Sequence, residues 1–469
     1  MKDEQRLGEV DVREPVIVLS PADPVASARK FIETSYTNGV DRTLHHHAGE
    51  FYTWDGARYP VADVAAIRAQ LYAFLDAAVR STKDGKTPPF QPNTNKVNNV
   101  LDALKAAANL PSTVTAPAWL TDEHVPDLTL PPHEILACDN GLLHLPSLEL
   151  LPHTPLFFSR NALDYGFDPY VPDPEAWLRF LDDLWANDAQ AVGILQEIFG
   201  YLLTTDTRQQ KMFLLVGPKR SGKGTIARVL AALLGPANIC APTLNSLGSN
   251  FGLADLIGKT AAIISDARLG GRADQHAIAE RLLSVSGEDL LTIDRKYLPS
   301  WNGKLSARFV LLSNELPRIA DASGALASRF IILTMTESFY GREDPGLTNK
   351  LLREMPGILN WAIAGWQRLA ERGHFVQPAS SVEAMHELED LGSPIGAFIR
   401  DCCIIAPGEE VACADLFGAW QSWCTDHGRE HPGTSQSFGR DLRAAVPGLK
   451  IQQPRTDAGR VRKYQGVGL

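Results

Sequence analysis

The chain has 469 residues, of which 44% are hydrophobic and 21% charged, so it holds enough apolar material for several domains with cores of their own. Its apolar runs, such as MFLLV and RFIIL, are far shorter than the ~20 residues that cross a bilayer, and no apolar signal segment opens the sequence. The formal net charge of −10 excludes a uniformly basic surface, so any DNA contact must be local.

The six cysteines include no C-x-x-C pair, which argues against a zinc ribbon or a disulfide framework. A reducing compartment is the simplest setting for such scattered thiols. We therefore expect a cytoplasmic protein with no membrane partner.

The pattern of apolar residues divides the chain into three regions. Residues 1–168 combine helical stretches with short strand-and-turn pieces, which predicts a mixed, mainly helical N-terminal domain. Residues 169–375 alternate strands with helices, which predicts an α/β domain with a parallel sheet. Residues 376–469 read as three helices and a hairpin, typical of a small separate domain.

The segment GPKRSGKGT fits the pattern G-x-x-x-x-G-K with Gly217, Gly222 and Lys223. Glycines let backbone N–H groups wrap a phosphate, a following helix directs its positive end at the anion, and the lysine reaches the outer phosphates. An apolar strand precedes the segment and an amphipathic helix follows, so we predict a nucleotide-binding loop. Its other predicted members are Pro218, Lys219, Arg220, Ser221, Gly224 and Thr225.

Gly224 departs from this pattern, because a Ser or Thr usually follows the lysine and ligates Mg²⁺. We expect either that Thr225 takes part in holding the metal, or that water and another acid hold it. Small nucleotide kinases also carry GKGT, so a small-molecule kinase is a rival interpretation at this point.

Two strand ends supply further polar residues. Asp266 ends the run AAIIS on what we expect to be a strand neighbouring the loop strand, and it is the predicted Mg²⁺ ligand. Asn314 ends ARFVLLSN and is predicted to hold the attacking water. The alternatives are an aspartate that caps its loop and an asparagine that forms a turn before Pro317.

Arg329 precedes the strand RFIILTM, where a guanidinium could neutralise charge on a neighbouring subunit's ATP; a surface salt bridge is the alternative. The stretch SGEDLLTIDRKYLPSWNGKLSARF predicts a β-hairpin with Arg295, Lys296 and Tyr297 near its tip. A cation beside an aromatic ring suits a DNA backbone and its bases, although taken alone a solvated tip is the simpler interpretation.

These motifs, in this order, resemble the superfamily-three helicases of the phage and plasmid primase–helicase type, related to the poxvirus primase–helicase. GPKRSGKGT resembles the Walker A motif, AAIISDARL the Walker B motif, SGEDLLTIDRKYLP the B-prime segment and FVLLSNELPRIADASGALASRF motif C. Upstream, FYTWDGARY and LQEIFGYLLTTDTRQQKMFLLVG resemble the collar-like domain that precedes the motor in this family. The resemblance spans most of the chain.

The resemblance implies an AAA+-like P-loop sheet, a homo-hexameric ring, ATP and Mg²⁺ as cofactors, and single-stranded DNA in a central pore. It also implies Lys296 as a DNA contact, Asn314 as a sensor and Arg329 as an arginine finger. Ala267 stands where many relatives carry a second acid, so the catalytic base is open between Glu280, Glu288 and another subunit. Few residues precede FYTWDG, so we expect no primase activity, with a separate primase as a partner.

The C-terminal pattern suggests a winged helix whose recognition helix and wing bind duplex DNA. Residues 431–469 carry seven cations against two acids, a local charge of +5, and the predicted DNA contacts are Arg440, Arg443, Arg460, Arg462 and Lys463. A protein-docking helix is the alternative. Ser435 is the predicted helix cap, Phe417, Trp420 and Trp423 are predicted core residues, and His45–His47 are assigned to a surface loop rather than a metal site.

The function that accounts for most of these residues is an ATP-dependent replicative DNA helicase of a phage, plasmid or integrated mobile element, acting on single-stranded and forked DNA. An ATP-dependent origin-binding or loader protein is the first alternative. The kinase is the second, and it leaves Asn314, Arg329 and the basic C-terminal region without a role.

Overall fold

The computed structural model describes residues 16–80, 86–120, 130–268, 274–319, 321, 324–428, 431–453, 455–456 and 459–469, with the side chains of 455–460 left out. The N-terminal segment judged above to lack a signal sequence therefore lies outside the described residues. The chain forms two compact units, Met1–Thr129 with His153–Arg160, and Leu130–Pro152 with Asn161–Leu469. This division does not follow the boundary expected at residue 168, and the three-domain organisation stays a prediction. None of the described helices is long and apolar enough to cross a membrane.

The first unit contains three main helices, each capped by an acid or amide. Asp23, Asp63 and Asn93 accept hydrogen bonds from the first-turn N–H groups of helices Pro24–Ser35, Val64–Ala77 and Thr94–Ala107. Strands Leu44–His47 and Glu50–Thr53 pair antiparallel. Short strands complete the unit at Val18–Leu19, Thr37–Asn38, Asp41–Arg42, Val79–Arg80, Ala118–Trp119 and Phe157–Phe158.

The histidine run in this unit was wrongly assigned to a surface loop. Residues 44–47 form a strand, and His45 and His47 are buried against the rings of Tyr59 and Phe158. Burial and the nearby Arg42 charge lower the pKa of His45 to about 3, so its imidazole is neutral at physiological pH. No metal-binding cluster of His, Cys, Asp or Glu occurs among the residues that the structure describes.

The second unit is built on a five-stranded parallel sheet, as the alternation of strands and helices predicted. The spatial order is Ile239–Cys240, Ala261–Ile264, Arg308–Ser313, Met212–Val216 and Phe330–Thr334. The helices connecting or covering these strands are Glu175–Leu184, Ala189–Leu203, Lys223–Leu234, Leu244–Leu247, Gln275–Ser286, Leu347–Leu352 and Met355–Arg372. Ile135–Cys138, Gly141–His144 and Glu149–Leu151 form a separate antiparallel sheet.

Both faces of the parallel sheet are buried, which explains why its strands are continuous apolar runs. Along Met212–Val216, Phe213 and Leu215 enter a core with helices Glu175–Leu184, Ala189–Leu203 and Met355–Arg372. Met212, Leu214 and Val216 enter a second core on the other face, with helix Gln275–Ser286. Strand Met212–Val216 is therefore held between two hydrophobic layers.

Two buried charges join the elements that surround the sheet. The fully buried Arg308 guanidinium donates to the carbonyls of Tyr201 and Thr204 at the end of helix Ala189–Leu203, and burial lowers its pKa to about 10. Glu197 on the same helix accepts hydrogen bonds from Arg368 and Arg372. These hydrogen bonds make both residues structural links between elements, and the buried Nε atom of Arg308 has no hydrogen-bond partner among the described residues.

The C-terminal part of the second unit contains helices Val382–Gly392, Pro394–Cys402, Cys413–Asp426 and Ser435–Ala445. Strands Glu410–Ala412, Lys463–Gln465 and Lys450–Gln452 form an antiparallel sheet in that order, and the backbone of Arg455–Thr456 pairs with that of Gly459–Arg460. Trp420 and Trp423 lie in the core, as predicted, and Phe417 packs half-buried against the same cluster.

The predicted cap of the last helix was wrong by one residue. Thr434, not Ser435, accepts a hydrogen bond from the Ser437 N–H, and the Ser437 hydroxyl in turn accepts one from the Thr434 N–H. Ser435 is the first residue of the helix. Two adjacent hydroxyl residues make such a shift hard to foresee, because either can cap.

Candidate functional site

Three of the predicted site features lie at the carboxyl edge of the parallel sheet: the glycine loop, Asp266 and Asn314. The glycine loop, residues 217–222, leaves strand Met212–Val216, and the Gly217 N–H donates to the carbonyl of Ser313 at 3.2 Å. Asn314 directly follows that neighbouring strand and is exposed. The Ala267 N–H donates to the carbonyl of Leu312 at 3.0 Å, which holds the turn after Asp266 at the same edge.

One detail of this arrangement corrects the sequence prediction. The strand that carries Asp266 is not the direct neighbour of the glycine-loop strand, because Arg308–Ser313 lies between them. Crossovers in a parallel sheet allow a later strand to be inserted between two earlier ones. The inserted strand brings Asn314 next to the loop and sets Asp266 one strand further away.

The glycine loop has a backbone that few other residues could adopt or fit. Arg220 and Gly222 have φ values of 61° and 90°, and helix Lys223–Leu234 begins immediately afterwards. A Cβ atom at Gly222 would lie 3.0 Å from Leu184 and 3.2 Å from Phe180. Gly222 is therefore required both by its left-handed backbone and by close packing.

Lys223 supplies the central positive charge of the loop. Its side chain is buried, and its ammonium donates to the carbonyls of Gly217 and Pro218, both at 2.7 Å, and to the Ser221 hydroxyl at 3.0 Å. Burial lowers its pKa. The ammonium thus lies inside a ring of loop atoms at the positive end of a helix, where a phosphate anion is favoured.

Residues 335–343, which follow strand Phe330–Thr334, run along the glycine loop. The Phe339 N–H donates to the Arg220 carbonyl at 3.0 Å, and the Ser338 hydroxyl donates to the Lys219 carbonyl at 2.9 Å. The Arg220 guanidinium pairs with Glu343 at 3.4 Å. These contacts fix the outer side of the loop.

A cavity of about 860 Å³ opens beside the start of helix Lys223–Leu234. Its lining includes Phe180, Gly222, Thr225, Arg228, Phe339 and Arg342. Cations and aromatic rings adjoin the glycine loop here, and the volume lies in the range of small-molecule sites. A nucleoside attached to a phosphate in the loop would fit this space.

The structure pairs Asp266 with Arg268, a residue that the sequence analysis did not single out. The Arg268 Nη2 and Asp266 Oδ2 atoms are 2.6 Å apart, and Nε lies 2.9 Å from Oδ1. These hydrogen bonds hold the pKa of the Asp266 carboxyl below its usual value. The signal that could have found Arg268 is its position two residues after the metal-binding candidate.

The carboxylate of Asp266 is half-exposed and remains a suitable Mg²⁺ ligand at the sheet edge. Thr225 is less well placed, because its hydroxyl lines the cavity and accepts a hydrogen bond from Arg228 at 3.1 Å. Within the described ranges, no hydrogen bond joins Thr225 to Asp266. The residues therefore fit a metal held by Asp266 and water better than one held by Thr225.

The two candidate bases within the chain, Glu280 and Glu288, lie at different places in the structure. Glu280 is exposed on helix Gln275–Ser286. Glu288 lies at the amino edge of the sheet, where it accepts a hydrogen bond from Thr207 at 2.6 Å, so it cannot serve the glycine loop of its own chain. Glu315, next to Asn314 at the carboxyl edge, is an exposed acid that the sequence analysis missed.

Arg329 lies at the amino edge as well, since Phe330 is paired with Met212 at the start of both strands. The six steps along the backbone from Lys211 to Gly217 extend roughly 20 Å at the usual rise of a strand. Arg329 is half-buried, and its Nη1 lies 3.5 Å from the Ser286 hydroxyl. Its side chain is therefore too far from the glycine loop of its own chain to contact a phosphate bound there.

The predicted hairpin is present, with strands Leu291–Arg295 and Leu298–Gly303 joined at Lys296 and Tyr297. Tyr297 is fully exposed and has a φ of 63°. The Lys296 ammonium lies 5.7 Å from the centre of the exposed Phe251 ring, while Arg295 donates to the Pro299 carbonyl. The tip thus presents a cation and two rings to solvent.

Two of the five predicted C-terminal cations, Arg443 and Arg462, are exposed. Arg440 pairs with Asp441 at 2.9 Å and Lys463 pairs with Glu410 at 3.3 Å. The side chain of Arg460 lies outside the described residues. Arg440 and Arg443 lie on helix Ser435–Ala445 and Lys463 on strand Lys463–Gln465, and none of these three described side chains forms a hydrogen bond or ion pair with the glycine loop.

Two known families match parts of the chain. Residues 215–329 match a family described as "Family of unknown function (DUF5906)", and this segment runs from the glycine-loop strand through Arg329. Residues 31–186 match a family described as "D5 N terminal like". Each match covers less than half of the chain.

Solved structures give a fold for nearly the whole chain. "The apo structure of NrS-1 C terminal region (305-718)" is 13% identical and has a TM-score of 0.52, over 95% of this chain and 99% of that one. "The A form apo structure of NrS-1 C terminal region-CTR(305-718)" is 12% identical with a TM-score of 0.52, over 95% and 100%. The chain therefore shares the fold of the NrS-1 C-terminal region and is similar over residues 31–186 to D5 N-terminal-like proteins.

Proposed function

We propose that this chain is the ATP-driven motor subunit of a replicative DNA helicase. The observation that carries the proposal is the meeting of the glycine loop, Asn314 and Asp266 at one edge of the parallel sheet, with the Lys223 ammonium inside the loop. A phosphate cradle, a polar amide and a carboxylate are the groups that nucleotide hydrolysis requires. The glycine loop is thus a P-loop in this proposal.

ATP and Mg²⁺ are the proposed cofactors. Backbone N–H groups of the loop and the helix N-terminus bind the phosphates, and Lys223 neutralises the outer ones. Asp266 and water hold the metal, which supplies charge neutralisation at the phosphates. Asn314 orients the attacking water, and the adjacent exposed Glu315 is the proposed base.

The sheet supports an AAA+-like motor rather than a small-molecule kinase. Insertion of Arg308–Ser313 between the loop strand and the Asp266 strand places a polar sensor directly beside the loop. Arg329, at the opposite edge, has no role in a monomeric enzyme but completes a neighbouring site in a ring. A homo-hexamer is the assembly that the family resemblance implies.

DNA contacts are proposed at two places. The tip formed by Arg295, Lys296 and Tyr297 faces single-stranded DNA in the ring, where cations and rings bind a backbone and bases without sequence preference. Helices Pro394–Cys402, Cys413–Asp426 and Ser435–Ala445, with the antiparallel sheet of the same region, support a winged helix that binds duplex DNA near a fork.

A phage, plasmid or integrated mobile element is the proposed setting, with a separate primase as partner. The match to D5 N-terminal-like proteins falls on the segment that resembles the collar-like domain of primase–helicases.

Strand displacement on forked DNA tests the proposal. The wild-type chain should separate the fork with ATP, and Lys223→Ala should not, because the loop loses its buried ammonium. Arg353→Ala, which removes an exposed cation outside the cavity, is the matched control and should unwind normally. ATP-dependent DNA binding without unwinding would favour a loader, and ATP hydrolysis indifferent to DNA would favour a kinase; either result contradicts the helicase.

A further inference from the structure

We propose that Arg228 contacts the phosphates of the bound nucleotide and takes over part of the charge neutralisation that a Mg²⁺ ion held by a hydroxyl at position 224 would provide. This inference rests on the proposed nucleotide site and concerns how that site works without the hydroxyl. It explains a feature left open by the sequence, the glycine after Lys223.

Helix geometry brings Arg228 to the phosphate end of its helix. Arg228 is four residues after Gly224 and three after Thr225, so the three residues share one face of helix Lys223–Leu234. Helical side chains lean toward the N-terminus, which directs the long arginine back over the first turn. That turn carries the free N–H groups at which an anion binds.

The contacts show that the guanidinium occupies this position. Arg228 Nη2 donates to the Thr225 hydroxyl at 3.1 Å, and Nε donates to the Thr348 hydroxyl at 3.3 Å. A Cβ atom at Gly224 would lie 3.4 Å from Arg228 Nη1. The guanidinium therefore stands beside the place where the usual Ser or Thr side chain begins, and glycine leaves room for it.

The charge of Arg228 is available to a ligand. In the part of the chain that the structure describes, its hydrogen bonds go to two hydroxyls, and no carboxylate pairs with it. Of the three acids that line the same cavity, Glu343 pairs with Arg220 at 3.4 Å and Asp344 with Lys350 at 2.7 Å, while Asp183 makes no ion pair with Arg228. Arg228 also lines the 860 Å³ cavity beside the loop.

A guanidinium at this point suits phosphate oxygens, since its fixed fork of donors matches them and stays charged at any physiological pH. The Arg228 guanidinium neutralises phosphate charge at a position where other loops of this sequence pattern use a metal ion held by a Ser or Thr hydroxyl. The nucleotide should then bind with unusually weak dependence on Mg²⁺, and that residual affinity should depend on Arg228.

Equilibrium binding of a fluorescent ADP analogue to the full chain, measured in EDTA and in Mg²⁺, tests this inference without relying on catalysis. Arg228→Ala should weaken binding in EDTA by about tenfold or more, the usual scale for a hydrogen bond to a charged group. The loss in Mg²⁺ should be smaller. Arg228→Lys should retain part of the affinity, and Arg353→Ala should bind as wild type does.

Gly224→Thr provides a second variant that keeps Arg228 in the chain. Its branched side chain would meet the flexible end of Arg228, displace the guanidinium and restore a hydroxyl, so binding should weaken in EDTA and depend more steeply on Mg²⁺. If both Arg228→Ala and Gly224→Thr bind as wild type does in EDTA while Lys223→Ala is weakened, Arg228 merely joins two helices and the inference fails. If Lys223→Ala also binds normally, the nucleotide site itself fails, and with it the proposed function.

Discussion

At the scale of single residues, the ion pair between Asp266 and Arg268 should affect how tightly the site binds a metal. The guanidinium bonds both carboxylate oxygens through Nε, at 2.9 and 3.1 Å. Mg²⁺ needs the same oxygens, so the two cations compete for Asp266. The pair is half-exposed, which limits its strength and allows exchange.

Arg268→Ala should therefore lower the Mg²⁺ concentration that gives half-maximal ATP hydrolysis. The carboxylate loses its competing cation, while the strand and the glycine loop are unchanged. Arg281→Ala, on helix Gln275–Ser286, removes the same charge elsewhere and serves as the control. A Mg²⁺ titration in which Arg268→Ala needs more metal than wild type would show that Arg268 helps to hold the site.

The buried His45 predicts how the first unit responds to acid. Its pKa is lowered to about 3 from an ordinary 6.5. At a pH between these two values, His45 is therefore protonated in the unfolded chain and neutral in the folded chain. Stability must then fall as the pH falls below 6.5, by about 2 kcal/mol at pH 5 from this residue. His46 and His47 have lowered pKa values and act in the same direction.

The variant His45→Asn separates this effect from packing. Its amide oxygen can still accept the hydrogen bond that Arg42 makes to His45 Nδ1, but it cannot be protonated. Urea unfolding at pH 7 and pH 5 should show a smaller difference for the variant than for wild type. An equal pH dependence in the two chains would mean that His45 does not titrate on unfolding.

At the scale of elements, the last helix gives a direct test of the observed cap. Thr434→Ala removes the hydroxyl that accepts a hydrogen bond from the Ser437 N–H, and should cost about 1 kcal/mol of stability. Ser435→Ala changes the residue that the sequence alone suggested and should cost little. Thermal melting of the two variants compares them, and a larger loss for Ser435→Ala would contradict the structure.

The sequence predicted the elements of the site better than their arrangement. Periodicity located strands Met212–Val216, Arg308–Ser313 and Phe330–Thr334, because buried parallel strands are continuous apolar runs. It did not reveal that Arg308–Ser313 is inserted beside the loop strand, since strand order depends on contacts between distant segments. The hairpin was predictable because its pattern is local.

The other residues that the sequence analysis missed fall into two kinds, one set by contacts between distant segments and one set by local contacts. The burial of His45 depends on Tyr59 and Phe158, which are far from it in sequence, so an isolated run of histidines reads as a polar loop. Arg268 and Arg228 have partners close in sequence, at spacings of two and three residues. Those two could have been found by asking which side chains reach the motif residues along their own loop or helix face.

At the scale of the whole molecule, the two edges of the parallel sheet carry different parts of the proposed machinery. The glycine loop and Asp266 lie at the carboxyl edge, while Arg329 and Lys211 lie together at the amino edge. Burial and the Arg329 charge lower the pKa of Lys211, so two cations lie close together at this edge. In the proposed ring these cations would face the phosphates of a neighbouring copy rather than those of their own site.

Mixing two inactive variants tests this division of labour. Lys223→Ala retains Arg329, and Arg329→Ala retains Lys223 in its glycine loop. In mixed assemblies some nucleotide sites therefore contain both Lys223 from one copy and Arg329 from the next. ATP hydrolysis by a mixture should exceed the sum of the two variants alone by several-fold. Strictly additive rates would mean that Arg329 acts within its own chain or not at all.

Stimulation of ATP hydrolysis by single-stranded DNA is the most direct test of the central claim, that this sheet edge is a nucleotide-driven motor coupled to DNA. The account predicts that wild-type hydrolysis rises several-fold on addition of an unstructured oligonucleotide and that Lys223→Ala shows neither the basal nor the stimulated rate. A wild-type rate indifferent to DNA, or a stimulated rate that survives in Lys223→Ala, would contradict it.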